Sequence, residues 1–368
     1  MRILHLLNHT RRLNGHVHAA IDLACAQSRL GHDVAIVSEG GDFDLLLKAN
    51  QIETMHVTHK RNPGMILKGL SELRRAVRQW KPDIVHAHMM TSAVLAWPIS
   101  RSANIPLVTT VHNEFEKGAI VMGLGDRVIA VSNVVRDSMA KRGISMRKLD
   151  VVLNGTIGSA RFVGKDRTPR QLAHPTIIFV GGLHPRKGLP DLLHAFDKVA
   201  VRFPAARLLI LGGGPHQAEY EALARGLASA AAITFLGPVD DPFPYLAGAD
   251  IFVLPALADP APLVLSEARE AGLAVIGTEV DGIPQLLEYG KAGILVPPNA
   301  PDIIAEQLTR LLEDPDELNE WKRRSQINID YLRIDRVAAE ALAVYHAAYG
   351  RRRGRTLSTE ISAERAAR

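Results

Sequence analysis

Asp259 and Glu267 bracket the stretch richest in chemistry, Pro255-Ala-Leu-Ala-Asp259-Pro-Ala-Pro262-Leu-Val-Leu-Ser-Glu267. The apolar run Ile251 to Leu254 before it predicts a strand. Pro262 suits the first position of a helix, where its missing N–H costs nothing. The N–H groups of Leu263, Val264 and Leu265 would then lack intrahelical partners and point out of the helix N-terminus, a cradle for a diphosphate. Glu267 falls about one turn further in, at ~1.5 Å per residue. That is too far for the phosphates but within reach of a neighbouring hydroxyl pair such as a ribose. Asp259, before the helix, can reach hydroxyls on the opposite side. Ribose, diphosphate and sugar is the order of parts in a sugar nucleotide. Taken alone, the same two residues also read as a solvated helix carboxylate and a loop acid.

The elements that must position this stretch repeat along the chain. With 368 residues, 47% hydrophobic and 23% charged, the composition is that of a globular protein with material for two cores. Short β-branched runs alternate with helix-period stretches, the signature of parallel α/β layers. In the first half the predicted strands are Ile3 to Leu7, Val34 to Ser38, Ile84 to Ala87, Leu107 to Val111, Arg127 to Val131 and Val151 to Leu153. Helices are expected over His18 to Leu30, stopped by Gly31, and over Val134 to Arg142, capped by Ser132 and stopped by Gly143. From Arg161 to Pro175 the periodicity lapses into charge, Gly and Pro, which reads as a linker. Strands are then predicted over Thr176 to Val180, Arg207 to Leu211, Ile233 to Leu236, Ile251 to Leu254, Ala274 to Ile276 and Gly293 to Val296. The expected division is 1–164, 165–345, and a basic, disordered tail 346–368 after a last helix over Arg333 to Tyr349. Such sheets bind ligands beyond the carboxyl ends of their strands, and two in tandem make the space between domains the expected site.

The single Cys25 lies in an apolar-periodic stretch, which predicts a buried structural thiol and rules out an internal disulfide framework. No apolar run approaches the ~20 residues of a membrane span. The opening residues have the wrong charge order for a signal peptide, so a cytoplasmic protein is expected. The net charge of +5 is unevenly spread. Lys60, Arg61, Lys68, Arg74, Arg75, Arg78 and Lys81 crowd one segment, and Arg351, Arg352, Arg353 and Arg355 the tail. These suit an anionic membrane surface, or are a solvated helix face and a frayed terminus. Without interleaved aromatics or a reading motif they do not suggest nucleic acid. His86 and His88 have metal-ligand spacing, but no third ligand is near in sequence, so no metal is expected.

Further motifs surround the carboxylates. After Gly272-Leu-Ala-Val-Ile276 come Asp281-Gly-Ile-Pro284-Gln-Leu-Leu-Glu288 and Gly293-Ile-Leu-Val-Pro-Pro298. Upstream lie Lys81-Pro-Asp-Ile-Val-His-Ala-His88, Thr109-Thr-Val-His112, Arg127-Val-Ile-Ala-Val-Ser132, Asn154-Gly155 and Phe179-Val-Gly-Gly-Leu-His-Pro-Arg-Lys-Gly188. In this order, over residues 1–345, the chain resembles the retaining glycosyltransferases of family 4, whose pattern is Glu-x7-Glu followed by Gly-Gly-Ile-Pro-Glu and Leu-Val-Pro-Pro.

The resemblance implies a GT-B fold, two Rossmann-like doubly wound domains facing a cleft. It implies transfer of sugar from a nucleoside-diphosphate sugar, of UDP or GDP type, to a hydroxyl of a glycan or lipid-linked acceptor, with anomeric retention. In this reading Asp259 orients the sugar, Glu267 the ribose, and Lys187 with the amides of Leu263, Val264 and Leu265 stabilises the leaving diphosphate. His112 lies against the transferred sugar, and Gly15 lets backbone approach a donor phosphate. No general base is assigned and no metal or other cofactor is needed, since cations and the helix dipole take that role. Domain closure would assemble the site and exclude water. A peripheral place at the inner face of the membrane would suit a lipid-linked acceptor.

Three departures stand out: Asn14 where the family often has a second glycine, Asp259 for Glu, and Gly182 for the arginine that accompanies the lysine. Arg186 or His184 could supply the missing cation, or the phosphate could lean on Lys187 and the helix N-terminus. Gly182 also keeps open a catalytically silent binding protein, and the scaffold keeps open a sugar-nucleotide epimerase. A nicotinamide oxidoreductase is disfavoured. Glu39 ends the second strand where a ribose-binding acid would sit, but Gly15 stands alone after the first strand and Pro215 interrupts Gly212-Gly-Gly214.

Overall fold

A computed structural model describes residues 1–12, 14–59 and 63–366, with side chains described except at 63 and 351–366. Lys60 and Arg61 of the basic segment therefore lie outside the described residues, as do the side chains of Arg351, Arg352, Arg353 and Arg355. The chain forms two compact units. The first comprises Met1–Asn154, Gly158–Arg161 and Ile334–Arg368; the second comprises Gly155–Ile157 and Phe162–Arg333.

Seven strands build the first sheet: β1 Arg2–Leu6, β2 Asp33–Ser38, β3 Glu53–His56, β4 Ile84–Ala87, β5 Leu107–Val111, β6 Arg127–Ala130 and β7 Leu149–Val151. Their order is β3-β2-β1-β4-β5-β6-β7, all pairs parallel. The second sheet holds β8 Thr176–Val180, β9 Arg207–Leu211, β10 Ile233–Gly237, β11 Ile251–Leu254, β12 Ala274–Thr278 and β13 Ile294–Val296. Its order, β10-β9-β8-β11-β12-β13, is again all parallel. In both sheets the order reverses beside the first strand, the switch point where such folds leave room for a ligand.

All twelve predicted strands are present, with β7 two residues earlier than expected. The edge strand β3 is an addition: Glu53-Thr-Met-His56 is mostly exposed and carries no apolar run to betray it. The first helix spans Gly15–Arg29. Helix Asn133–Lys141 is capped by Ser132, whose Oγ accepts from the Val135 N–H at 3.4 Å. Cys25 is buried and unbridged, and burial pushes its thiol up to about 12.

The C-terminal helix differs most from expectation. It spans Ile334–Ala366, so the backbone is helical where a disordered tail was expected from residue 346. Arginine is a good helix former, and low hydrophobicity does not bar a local helix. The helix also belongs to the first unit rather than the second. Its stripe of Val337, Ala341, Val344, Tyr345 and Ala348 joins Ile3, Ile84, Val108 and Ile129 in one buried cluster. Spacing announces such a stripe but not which sheet receives it. The expected linker is likewise anchored at its start: Arg161 donates to both Asp22 carboxylate oxygens at 2.8 Å, and Ser159 adds a third bond at 2.6 Å.

Candidate active site

In the second unit the loop after β11 carries Asp259, and the helix that follows spans Leu263–Glu270. Pro262 is its N-cap rather than its first residue, with extended ψ of 120°. The Leu265 N–H consequently turns inward to the Pro262 carbonyl at 3.3 Å. The expected cradle of three amides is therefore two, those of Leu263 and Val264. Glu267 lies on the same helix and is buried, as is Asp259.

Lys187 ends the short turn Pro185–Lys187 after β8, and its Nζ donates directly to Asp259 Oδ2. The backbone enforces this meeting. Gly188 has φ +65°, and a Cβ there would stand 1.8 Å from the Pro255 carbonyl oxygen, so only glycine lets the turn press on the β11 loop. The Leu257 N–H then donates to the Arg186 carbonyl at 2.7 Å. Two residues far apart in sequence thus become one ion pair, partly shielded from water.

Arg186 is exposed. His184 does not replace the missing cation. Its ring accepts from the Arg186 N–H at 3.3 Å to cap the turn, and burial followed by the charge of Arg186 lowers its pKa. Gly182 is exposed, with φ outside the left-handed region, and a Cβ there meets only the Gly213 oxygen at 3.9 Å. An arginine would therefore fit at this position.

Two site residues escaped the sequence reading. Asp281 sits in the motif turn with φ +45°, its Oδ2 buried and without a hydrogen-bond partner. Burial raises its pKa, and the nearby Asp259 charge adds to the rise, while the Asp259 backbone N–H and Arg186 oppose it. Arg269, fully buried, donates to the carbonyls of Ser325 at 2.8 Å and Leu286 at 2.6 Å, and also to that of Ile327. It ties the Glu267 helix to the Ile283–Leu286 turn. Nothing in the sequence distinguishes it from a surface arginine.

In the first unit, Gly15 opens the first helix with nothing within 4 Å of a would-be Cβ, so backbone there is open to a ligand. His16 follows, its Nε2 buried and unpartnered among the described residues. Its ring lies 6.2 Å from that of His112, between centroids, which brings Gly15 and His112 to one neighbourhood. His112 follows β5 and is half-buried; burial, then the charge of His16, lowers its pKa to about 3. His86 and His88 do have a third neighbour after all. His5, opposite His86 in the β1–β4 register, brings three ligand nitrogens within 4.8 Å of one another. Strand pairing made that cluster, which no linear spacing displays. Glu39 is occupied structurally, accepting the His59 N–H at 2.7 Å.

The family model described as "Glycosyltransferase Family 4" matches residues 13–156, and "Glycosyl transferases group 1" matches 174–314. A phosphatidyl-myo-inositol mannosyltransferase of Mycobacterium tuberculosis is 31% identical over 268 residues, covering 65% of this chain and 68% of the relative. A glycosyltransferase structure from Rickettsia africae superposes with TM-score 0.81 at 19% identity, covering 94% of this chain and 98% of that one. Alr3699/HepE from Anabaena, solved with UDP-glucose, gives TM-score 0.77 at 20% identity, covering 93% and 99%. With its two parallel-sheet units and both halves of its sequence matched, the chain belongs to the group 1, family 4 glycosyltransferases and has the GT-B fold.

Proposed function

We propose that the protein transfers a glycosyl group from a nucleoside-diphosphate sugar to an acceptor hydroxyl with retention of anomeric configuration, in the synthesis of a cell-surface glycan, polysaccharide or glycolipid. What carries the reading is the Lys187–Asp259 pair at the mouth of the Leu263–Glu270 helix, whose first two amides are free of intrahelical bonds. One cation and two amides beside two buried carboxylates match a diphosphate flanked by two sets of hydroxyls. On donor binding Lys187 would exchange Asp259 for the diphosphate, releasing the carboxylate to accept from sugar hydroxyls. Glu267 would take the ribose and Arg186 would lie along the donor. His112 and Gly15 would contact the sugar and a phosphate. The charge that a metal would otherwise neutralise falls to Lys187 and the helix amides.

The UDP-glucose bound by the Anabaena relative supports a uridine donor, with GDP as the other choice. The mannosyltransferase relative supports a lipid-linked acceptor. No described helix is long and apolar enough to cross a membrane. Helix Pro63–Trp80 exposes Lys68, Arg74, Arg75 and Arg78 with Leu67 at 69% exposure, which suits peripheral contact with an anionic inner leaflet.

The test is a thermal-shift panel of UDP- and GDP-sugars, followed by NMR of the product's anomeric configuration. Stabilisation by one donor and a product of unchanged anomeric configuration are expected. A donor that binds but is hydrolysed equally slowly by wild type and Glu267→Ala would overturn the enzymatic reading. Equal binding to anionic and neutral liposomes would remove the membrane contact.

A further inference from the structure

We infer that a buried hydrogen-bond chain, Tyr345–Gln27–His5–His88, fixes the tautomer of His112, so that this histidine faces its ligand with a bare Nδ1 and acts only as a hydrogen-bond acceptor. The inference rests on the proposed role of His112 at the donor sugar. It makes four residues, from two helices, strand β1 and the loop after β4, into positioning residues, one of them on the C-terminal helix.

The chain of contacts is continuous. His112 Nε2 lies 3.2 Å from His88 Nδ1, and His88 Nε2 lies 2.9 Å from His5 Nδ1. His5 Nε2 lies 2.8 Å from Gln27 Oε1, and Gln27 Nε2 donates to the Tyr345 hydroxyl at 3.1 Å. From Tyr345 a second arm runs to His86 Nδ1 at 2.6 Å, and from His86 Nε2 to Thr110 Oγ1 at 2.7 Å. His5, His86, His88, Gln27 and Tyr345 are all buried.

A neutral imidazole has one N–H and one lone pair, so each assignment forces the next. The Gln27 carbonyl can only accept, so His5 carries its proton on Nε2 and leaves Nδ1 bare. His88 must then donate from Nε2, which leaves its Nδ1 to accept from the Nε2–H of His112. The remaining nitrogen of His112, Nδ1, has no protein partner among the described residues. In the other arm Tyr345, having accepted from Gln27, donates to His86, which donates to Thr110. A second proton on His5 or His88 would set donor against donor. Burial acts in the same direction, lowering His5 to about 4 and His86 and His88 well below the ordinary histidine value, and raising Tyr345 well above the ordinary tyrosine value. The polarity of the whole chain is set at one point, the Gln27 amide, because the amide has distinct donor and acceptor ends.

A bare Nδ1 accepts a hydrogen bond from a hydroxyl and offers none to an oxygen lacking a proton. His112 would thereby favour a donor sugar that carries a free hydroxyl at the position it meets. A metal held by His5, His86 and His88 is the competing use of the cluster, but it would need lone pairs already engaged in these bonds.

The experiment is a two-bond proton–nitrogen correlation spectrum of the full chain with 15N-histidine, near neutral pH, for wild type, Gln27→Met and Tyr345→Phe. Wild type should show His5, His88 and His112 as single Nε2–H tautomers. Either variant should give His112 a mixed signal, together with about tenfold weaker UDP-glucose binding by calorimetry. Tyr345→Phe keeps the aromatic packing and serves if Gln27→Met does not fold. A charged, Nδ1-protonated or mixed His112 in wild type would overturn the inference, as would a His112 signal unchanged in the folded variants. Movement of the His5, His86 and His88 resonances on adding zinc chloride would also overturn it, in favour of a metal site. His112→Ala separates the two claims: unchanged UDP-glucose affinity there defeats the donor-contact role while the tautomer result stands.

Discussion

In the first unit His5, His88 and His112, in or just after β1, β4 and β5, are hydrogen-bonded to one another, the first two buried and His112 half-buried, and burial lowers the pKa of each. The second unit gathers formal charges at the matching place: Lys187 against Asp259, Glu267 one turn into a helix, Asp281 beside them and Arg269 behind. The two sheets are both parallel and have nearly the same strand order, yet their sites rest on different electrostatics. Backbone topology therefore fixes where a site can form, while side chains decide whether it works by polarity or by charge. Neutral donors and acceptors suit discrimination among sugar hydroxyls. Fixed charge and helix amides suit a departing diphosphate.

Acid should separate the units most strongly. His5, His16 and His112 are lowered to about 4, 4 and 3 from an ordinary 6.5. Between those values the unfolded chain holds more protons, so stability is complete above about 6.5 and is lost as pH falls. For His5 alone the loss by pH 4 is on the order of 3 kcal/mol at ~1.4 kcal/mol per unit. A chain retaining only Trp80 reports the first unit and one retaining only Trp321 the second. The Trp80 signal should melt much earlier at pH 5 than at pH 7.5, and parallel shifts in both signals would defeat the contrast.

Next in size, Lys187→Ala should lower donor turnover by about a hundredfold to a thousandfold without moving the Trp80 transition. A loss under tenfold would mean that the helix amides alone stabilise the leaving group. Arg269→Met should destabilise the second unit by about 3 kcal/mol, since three buried carbonyls lose a charged donor. Denaturant unfolding followed at Trp321 checks this, and an unchanged midpoint would refute the stapling role. The smallest effect is a gain. Gly182→Arg has room for the side chain and should tighten UDP binding up to about tenfold. Weaker binding would show that the second unit already balances its charge without that cation.

Some of the site was legible in linear order because its parts are local. The Asp259–Glu267 spacing, the strand before it and the helix after it are properties of one short segment, set by periodicity and by proline's fixed φ. Even there, one register step escaped: Pro262 caps the helix instead of opening it, and the Leu265 amide is lost to the cradle. The linear pattern could not choose between the two positions, because proline lacks an N–H in either.

The rest needed the fold. Lys187 meets Asp259 only because Gly188 allows two strand ends to touch. Arg269 reads as an ordinary charged residue until three carbonyls from other segments close around it. His5 joins His86 by strand register, and Tyr345 reaches Gln27 because the final helix returns to the first sheet rather than finishing on the second. The sequence by itself determined the two parallel α/β units, the strand positions and the family, since these follow from periodicity and from motifs in order. Tertiary structure alone decided the partners of the buried polar groups. A buried donor or acceptor must find its complement wherever the packed chain brings one, and that place has no signature in local spacing.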